Sequence, residues 1–469
     1  MYGDVEITVQ DGGLGLTSSG TGVHVKIGAS PAAAEQVIIR GSMTAARIKE
    51  LLGLSPLADS AMLSVANGAD RIICLPVAPS TAGTVGPVTK GTASTGGGTL
   101  TAAGSPNHSY TATVEIRRSG GLNSAVFRLS LNGGISWSDE LTVPLAGSYE
   151  VPGAGVTLTF TAGDPPADSF KLGDSWSFST TAPQLTNEDV LAAIGRAAGI
   201  AEEFELVHIV GEASPALWAA VSTEQQTIAA SKKRALLFVL EAPAKTEAET
   251  VAAYVQTLTA AAAAVNNYQL QVVAARGVYQ LMDGNQKELN LAALFCGFYA
   301  RAAVQQSIGA TMHFAIAKDK LLALRPAGIE DYLEDLDSAR LAAVRQYAGL
   351  EGYYVTSARV LAPANSDYQY AEDVRVSNKI RREVRKKALL QLQADVDMSD
   401  LQGDLDTKAK FCGEPLDQMV ADKEISAYAI TAPEGQDILT TKTLQLQIRY
   451  VPIGKVRAIA IDLACTAAL

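Results

Sequence analysis

The first residues of the chain alternate between apolar and polar side chains. Val5, Ile7 and Val9 share one face of an extended segment, and polar residues lie between them. A period of two is typical of a half-buried β-strand. We therefore predict a strand within residues 1–22, which would form an N-terminal arm.

Two regions combine apolar runs with helical patterns, and they predict an α/β core built from residues 23–77 and 184–329. In the first region a strand, Val23 to Ile27, precedes a helix predicted over 32–53. The second region alternates strands and helices, which is typical of a partly parallel sheet. Its predicted strands are 204–210, 235–240 and 270–274, and its predicted helices are 247–265 and 288–305.

The composition changes abruptly between these regions. Residues 78–183 are rich in Gly, Ser, Thr and Pro, and short alternating runs are separated by turn clusters such as Asn132-Gly133-Gly134. Short strands at this spacing indicate an all-β sandwich. We therefore predict a β-sandwich domain inserted into a discontinuous host. We expect its core to contain Trp137, Trp176, Phe127, Phe160 and Phe178.

Residues 330–469 predict an α+β domain that ends in a β-ribbon. A long helix is predicted over 373–393. The two final alternating runs, 443–451 and 456–464, are joined by Pro452-Ile453-Gly454, which predicts a hairpin between them. Leu444, Leu446 and Ile448 share the apolar edge of the first run. We expect both terminal strands to pair with neighbouring copies, because unpaired strand edges recruit other chains.

The predicted helix 373–393 carries a basic face. An apolar stripe recurs every four residues from Val376 to Ile380 and beyond. At 100° per residue, four cations lie on a single face roughly opposite this stripe. They are Arg375, Lys379, Arg382 and Lys386. This face is interpreted as a contact for an acidic macromolecule, and the alternative is a solvated face or ion pairs with nearby acidic residues.

Composition and charge narrow the class of protein. The 469 residues are 48% hydrophobic and 19% charged, which excludes intrinsic disorder. A net charge of −11 argues against a general nucleic-acid binder. No signal peptide or membrane-spanning stretch is recognised. We therefore expect a chain made and assembled in the bacterial cytoplasm, without membrane insertion.

The sequence offers little catalytic chemistry. It contains no GxxxxGK[ST], no HExxH and no CxxC, so we expect no cofactor and no metal. His208 lies in an apolar run and is interpreted as a histidine of the core or a strand end. An α/β enzyme remains an alternative, with Glu212 and Glu241 after apolar runs as its candidate carboxylates.

Three features resemble contractile tail sheath proteins of phages and related injection systems. The first is the lead from Asp367-Tyr368 through Val374-Arg375-Val376 into the long helix. The second is the closing sequence LQLQIRYVPIGKVRAIAIDLA. The third is an α/β core interrupted by a β-rich insertion with the segments SLNGGISWS and FKLGDSWSF.

The resemblance implies a structural protein without catalysis. Sheath subunits stack as six-fold rings around an inner tube and exchange terminal strands with neighbours, so the implied partners are other copies, the tube, the baseplate and the tail terminator. The basic face would contact the tube, and the protein would reside in a virion tail or tail-like particle. The alternatives are another self-assembling tail or baseplate component and the α/β enzyme.

Overall fold

A computed structural model describes residues 21–463 and 465, so Val5, Ile7 and Val9 lie outside the described residues. The chain divides into two compact units. Unit 1 extends to Ala302 and includes Ser307–Ala371, and unit 2 combines Ala303–Gln306 with the chain from Glu372 onward. Neither unit contains, among the described residues, a helix long and apolar enough to cross a membrane.

Unit 1 begins with the first strands and helices of an α/β sheet. The elements are β1 (His24–Ala29), β2 (Val37–Arg40), α1 (Ala45–Leu52), α2 (Pro56–Ala66) and β3 (Arg71–Val77). The helix predicted over 32–53 is therefore wrong in its first half. The β-branched residues of β2 pair antiparallel with β3, and α1 starts only after Thr44, whose side chain accepts a hydrogen bond from the Arg47 amide.

The β-rich segment that follows forms two antiparallel sheets, of strand order β5-β10-β9 and β4-β11-β6-β7-β8. Its strands are β4 (Thr89–Lys90), β5 (Thr99–Gly104), β6 (Thr111–Arg118), β7 (Val126–Ser130), β8 (Leu141–Thr142), β9 (Ser148–Val151), β10 (Val156–Thr161) and β11 (Ser175–Ser179). Four predicted core aromatics share one buried cluster: Phe127, Phe160, Trp176 and Phe178. Trp137 does not join it, because its ring lies under the Arg128 guanidinium, 4.1 Å away.

The chain then returns to the first sheet. The elements are α3 (Asn187–Ala198), β12 (Leu206–Glu212), α4 (Pro215–Ser231), β13 (Leu237–Glu241), α5 (Val251–Ala263) and β14 (Leu270–Val273). The six-stranded sheet has the order β14-β13-β12-β1-β3-β2, and only β2 is antiparallel to its neighbour. The predicted mixed α/β fold with several sheets is confirmed.

Unit 1 ends with smaller elements beside this sheet. They are β15 (Arg276–Gln280), β16 (Gln286–Asn290), α6 (Ala292–Arg301), β17 (Leu321–Arg325), α7 (Leu333–Ser338), β18 (Val344–Arg345) and β19 (Tyr354–Val355). The helix predicted over 288–305 is shorter, because Gln286–Asn290 pairs with β15. Helix α6 packs closely on α2, where a Cβ on Gly297 would lie 2.7 Å from the Ser64 carbonyl oxygen.

Unit 2 is built around two long helices and a two-stranded ribbon. Its elements are α8, which starts at the boundary (Ala371–Leu389), α9 (Leu401–Ala421), β20 (Ile425–Thr431), α10 (Ile438–Thr441) and β21 (Gln447–Pro452). The apolar stripe of α8, with Val376 and Ile380, packs against Leu416 and Met419 of α9.

The hairpin predicted between 443–451 and 456–464 is not present in the described residues. Strand β21 pairs antiparallel with β20 instead, and Ile448 lies opposite Ile430. This pairing lets Ile448 and Tyr450 pack against the apolar cluster of α8 and α9. Residues 453–463 form no strand.

Candidate assembly surfaces and buried charges

Arg375 does not contribute to an open basic face. It is 0% exposed, and its Nη1 donates to the Ala303 carbonyl oxygen at 3.4 Å. The helical wheel placed Arg375 opposite the apolar stripe, but the segment Ala303–Gln306 belongs to the same unit and packs on this part of the helix, with Val304 in one cluster with Val376 and Ile380. The interpretation of Arg375 as a solvent-facing contact is therefore wrong.

The other three predicted cations are also engaged or half-buried. Lys379 forms an ion pair with Glu424 at 2.6 Å, and Lys386 pairs with Glu383 of its own helix at 3.0 Å. The three guanidinium nitrogens of Arg382 are buried and have no hydrogen-bond partner among the described residues. Ion pairs with nearby acidic residues were the alternative to a partner contact, and such pairs are present. Their carboxylates are not the acidic residues that follow the helix in sequence.

The open cations of α8 lie on a different face. Arg381 and Arg385 are exposed, one turn apart, and neither forms an ion pair within the described part of the chain. Exposed apolar residues lie at the end of the helix and just after it: Leu389 is 46%, Leu390 70% and Leu392 69% exposed. The sequence prediction did not include this face, because it considered only the cations that lie opposite the apolar stripe on the helical wheel.

The residues proposed as C-terminal connectors pack against the core of their own unit. Leu444 and Leu446 are half-buried against a cluster around Leu405 and Ala409 of α9. Ile448 packs on the neighbouring cluster of α8 and α9. Their apolar edge is thus occupied within the chain, and they are not free to form the same contacts with a neighbouring copy.

The free apolar edge lies further along, in the segment 456–463, which we call the C-terminal tail. Its start is fixed to the first turn of α8, because Arg457 Nη2 donates to the buried Glu372 Oε1 at 2.7 Å. Beyond this point Ile459 is 78%, Ile461 81% and Leu463 96% exposed. The alternating pattern that predicted a strand is real, but its pairing partner is absent from the described residues.

A chain of buried polar groups crosses the centre of the six-stranded sheet. Lys26 of β1 lies beside His208 of β12, and its Nζ is 2.8 Å from Nδ1 of that ring. Lys26 Nζ also donates to Ser60 Oγ at 2.9 Å, and His208 Nε2 is 3.1 Å from Glu241 Oε1. Lys26 and His208 are 0% exposed, so each must be paired to offset its desolvation.

The environment of this chain of groups moves its pKa values in opposite directions. Burial, and then the charge of Lys26, lower the pKa of His208 well below its ordinary value. Burial raises the pKa of Glu241 to about 7, although Arg276 and Lys26 oppose the shift. Because the Lys26 ammonium can only donate, Nδ1 of the neutral imidazole accepts from it, and the proton on Nε2 faces Glu241. The lysine within the apolar run VHVKIGA was the sequence signal for this cluster.

The two candidate carboxylates of the enzyme alternative lie side by side. Glu212 and Glu241 are paired in register at the ends of β12 and β13. Glu212 is half-exposed and forms an ion pair with Arg276 at 2.9 Å. Both carboxylates thus have partners that hold them in place. Among the described residues no group of three or more His, Cys, Asp or Glu side chains could hold a metal ion.

A second buried charge cluster joins the β-rich segment to α2. Asp59 Oδ2 lies 2.9 Å from His108 Nε2 and 2.6 Å from Lys287 Nζ, and the side chains of Asp59 and His108 are each 5% exposed. Burial alone would raise the pKa of Asp59, but the contacts with His108 and Lys287 outweigh it and hold the pKa well below its ordinary value. The cluster therefore fixes the β-rich segment to the rest of unit 1.

Two family models match nearly the whole chain. The model described as DUF2586, N-terminal domain, matches residues 2–359, and the model described as DUF2586, C-terminal domain, matches residues 367–469. No match was found among curated protein sequences.

Solved structures with the same fold are contractile sheath proteins. A sheath chain of an extracellular contractile injection system, PVC, in the contracted state has a TM-score of 0.55 at 10% identity, covering 100% of this chain and 98% of that chain. A chain of the contracted anti-feeding prophage baseplate has a TM-score of 0.53 at 12% identity, with 100% and 98% covered. The sheath tail protein of Desulfitobacterium hafniense has a TM-score of 0.50 at 13% identity, with 97% and 100% covered. The chain has the fold of a contractile tail sheath protein.

Proposed function

Because the chain belongs to the DUF2586 family and has the sheath fold over its whole length, we propose that it is a structural subunit of a contractile tail sheath. Copies would stack as six-fold rings around an inner tube and contract to drive that tube through a cell envelope. The baseplate and the tail terminator would bound the assembly at its two ends.

The observation that carries this proposal is the exposed C-terminal tail. Ile459, Ile461 and Leu463 form an alternating apolar edge with no strand partner among the described residues. The ribbon β20-β21 has only two strands, so it also offers backbone donors and acceptors at its outer edges. A tail from one copy that pairs with the ribbon of another copy would bury the apolar edge of the tail and would satisfy the backbone donors and acceptors at the edge of the ribbon.

This arrangement suits contraction. A strand donated across a boundary keeps its hydrogen bonds while the bodies on either side rotate and slide. The ion pair of Arg457 with Glu372 would be the anchor from which the tail leaves its own unit. We propose the same connecting role for the N-terminal run with Val5, Ile7 and Val9.

The experiment substitutes one face of the tail and leaves the other as a matched control. Ile459→Asp with Ile461→Asp should abolish long tubes in electron micrographs while the monomer keeps its circular-dichroism spectrum, because the charges cannot be buried in a neighbour. Ala458→Ser with Ala460→Ser changes the opposite face and should assemble normally. Equally long tubes from the two double variants would refute the connector role.

A further inference from the structure

A cavity lies at the carboxyl ends of the parallel strands, and we call it the switch-point cavity. It has a volume of about 400 Å³ and is lined by the ends of β1, β12 and β13, among them Ala29, Ile209 and Glu241. Strand order reverses between β1 and β12, since β3 follows on one side of β1 and β12 on the other. Open α/β sheets bind ligands at such a reversal, and the volume is in the range of small-molecule sites.

The β-rich segment covers this cavity. Chain residues Thr180 to Leu185 and His108 line one side of it. The segment replaces the connection between β3 and α3, which is a loop at the carboxyl edge of the sheet. The arrangement thus encloses a pocket that an ordinary short loop would leave open.

The lining is largely apolar. Hydrophobic surface comes from four elements: Pro56 and Leu63 of α2, Val190 of α3, Leu217 of α4 and Leu289 of β16. An alkyl or aryl group of a ligand would bury its surface there.

One carboxylate of this lining, Glu241, has no lysine or arginine within ion-pair distance in the part of the chain that the structure describes. Glu212 is neutralised by Arg276 at 2.9 Å, and Glu288 faces Arg325 at 3.7 Å. Glu241 instead contacts the neutral imidazole of His208, and the ammonium of Lys26 lies beyond that ring. Glu241 lines the cavity at the end of β13.

We propose that the switch-point cavity binds a small organic ammonium ion, with its apolar group among the leucine side chains and its charge on the carboxylate of Glu241. A carboxylate in an apolar cavity favours a cation and disfavours an anion or a neutral isostere. This binding is independent of the proposed sheath role.

The groups that face Glu241 determine how binding depends on pH. The charged and titratable groups around Glu241 come from several strands, helices and loops. They are Lys26, His208, Glu212, Arg276, Glu288, Cys296 and His108. Burial raises the pKa of Glu241 to about 7. An alkylammonium stays charged at neutral pH, so its affinity should rise roughly tenfold between about pH 6 and pH 8 as Glu241 ionises.

The test is calorimetric titration of the full chain with three probes of one shape. Phenethylammonium should bind saturably, and phenethyl alcohol and hydrocinnamate should each bind at least about tenfold more weakly. Glu241→Gln should lose the preference for the ammonium. Glu202→Gln is the matched control, because that partly exposed carboxylate is paired with Arg71 and does not line the cavity, and the affinity of this variant for phenethylammonium should stay within about twofold of the wild-type value.

Several results would overturn the proposal. They are equal binding of the alcohol and the ammonium, preference for the carboxylate, ammonium binding that survives in Glu241→Gln, and no saturable binding to the wild-type chain. Should Glu241→Gln fail to fold, the order of the three probes and the pH profile on the wild-type chain decide the question alone.

Discussion

Lys379 of α8 and Glu424, just before β20, form an ion pair at 2.6 Å whose side chains are only 15% and 11% exposed. The pair therefore joins the long helix to the ribbon instead of offering a free cation to a partner. Removal of one member of a nearly buried pair leaves the other charge desolvated, which is costly.

Lys379→Met should loosen unit 2 locally. We expect the free energy of local unfolding to fall by about 3 kcal/mol. Faster hydrogen exchange of the amides in β20 and the middle of α8 measures this change. Arg381→Met on the exposed side of the same helix is the control. It should change the free energy of local unfolding, derived from the same exchange rates, by less than about 0.5 kcal/mol. Equal exchange in the two variants would show that the pair contributes nothing.

For the proposed sheath role, we propose the exposed Arg381 and Arg385 as the contact with an acidic inner tube. Arg381→Glu with Arg385→Glu should weaken co-assembly with the tube and lower its salt sensitivity, because two screened attractions become repulsions. Thermal unfolding should be unchanged, since both residues are exposed. Co-assembly with unchanged yield and salt dependence, measured by co-sedimentation, would exclude this face.

Asp59→Asn should destabilise unit 1 in a pH-dependent way. The pKa of Asp59 is depressed in the folded chain, so the ionised carboxylate stabilises the fold above its unfolded pKa of about 3.9. The free energy of unfolding should be about 3 kcal/mol lower in the variant at neutral pH, and this difference should shrink as the pH falls below about 4. Chemical denaturation of both chains across this range measures it, and a constant difference would contradict the assignment.

Removal of the β-rich segment should leave the host able to fold. Its ends are adjacent, because Thr81 and Gln184 exchange backbone hydrogen bonds of 3.3 and 3.0 Å. A deletion of 82–183 closed by Asn-Gly should therefore preserve the six-stranded sheet and tube formation. Asp59→Asn should cost less stability in this deletion than in the full chain, since the carboxylate has lost His108 and keeps only Lys287. Insoluble protein from both deletion chains would show that the segment is part of the host core.

Local patterns predicted the central strands well. The predicted boundaries of β12, β13 and β14 each lie within two residues of the observed ones, because strands buried on both faces are continuous apolar runs in sequence. Strand β2 was missed, since an alanine-rich lead-in made Val37–Arg40 look helical. Its pairing with β3 overrides that local preference.

The candidate surfaces were harder to predict because distant segments decide them. Arg375 is buried through Ala303, which is 72 residues away, and no helical wheel contains that contact. The closing runs were recognised as extended, yet β20 was not foreseen as the partner of β21. The Lys26–His208 contact likewise depends on register between strands 182 residues apart.

Electron microscopy of the purified full-length chain tests the sheath assignment most directly. The protein, concentrated with and without its tube protein, should form hollow tubes or stacked rings with six-fold symmetry in projection. The Ile459→Asp, Ile461→Asp chain in the same buffer should remain monomeric. A wild-type chain that stays monomeric at every concentration, with or without the tube protein, would contradict the assignment.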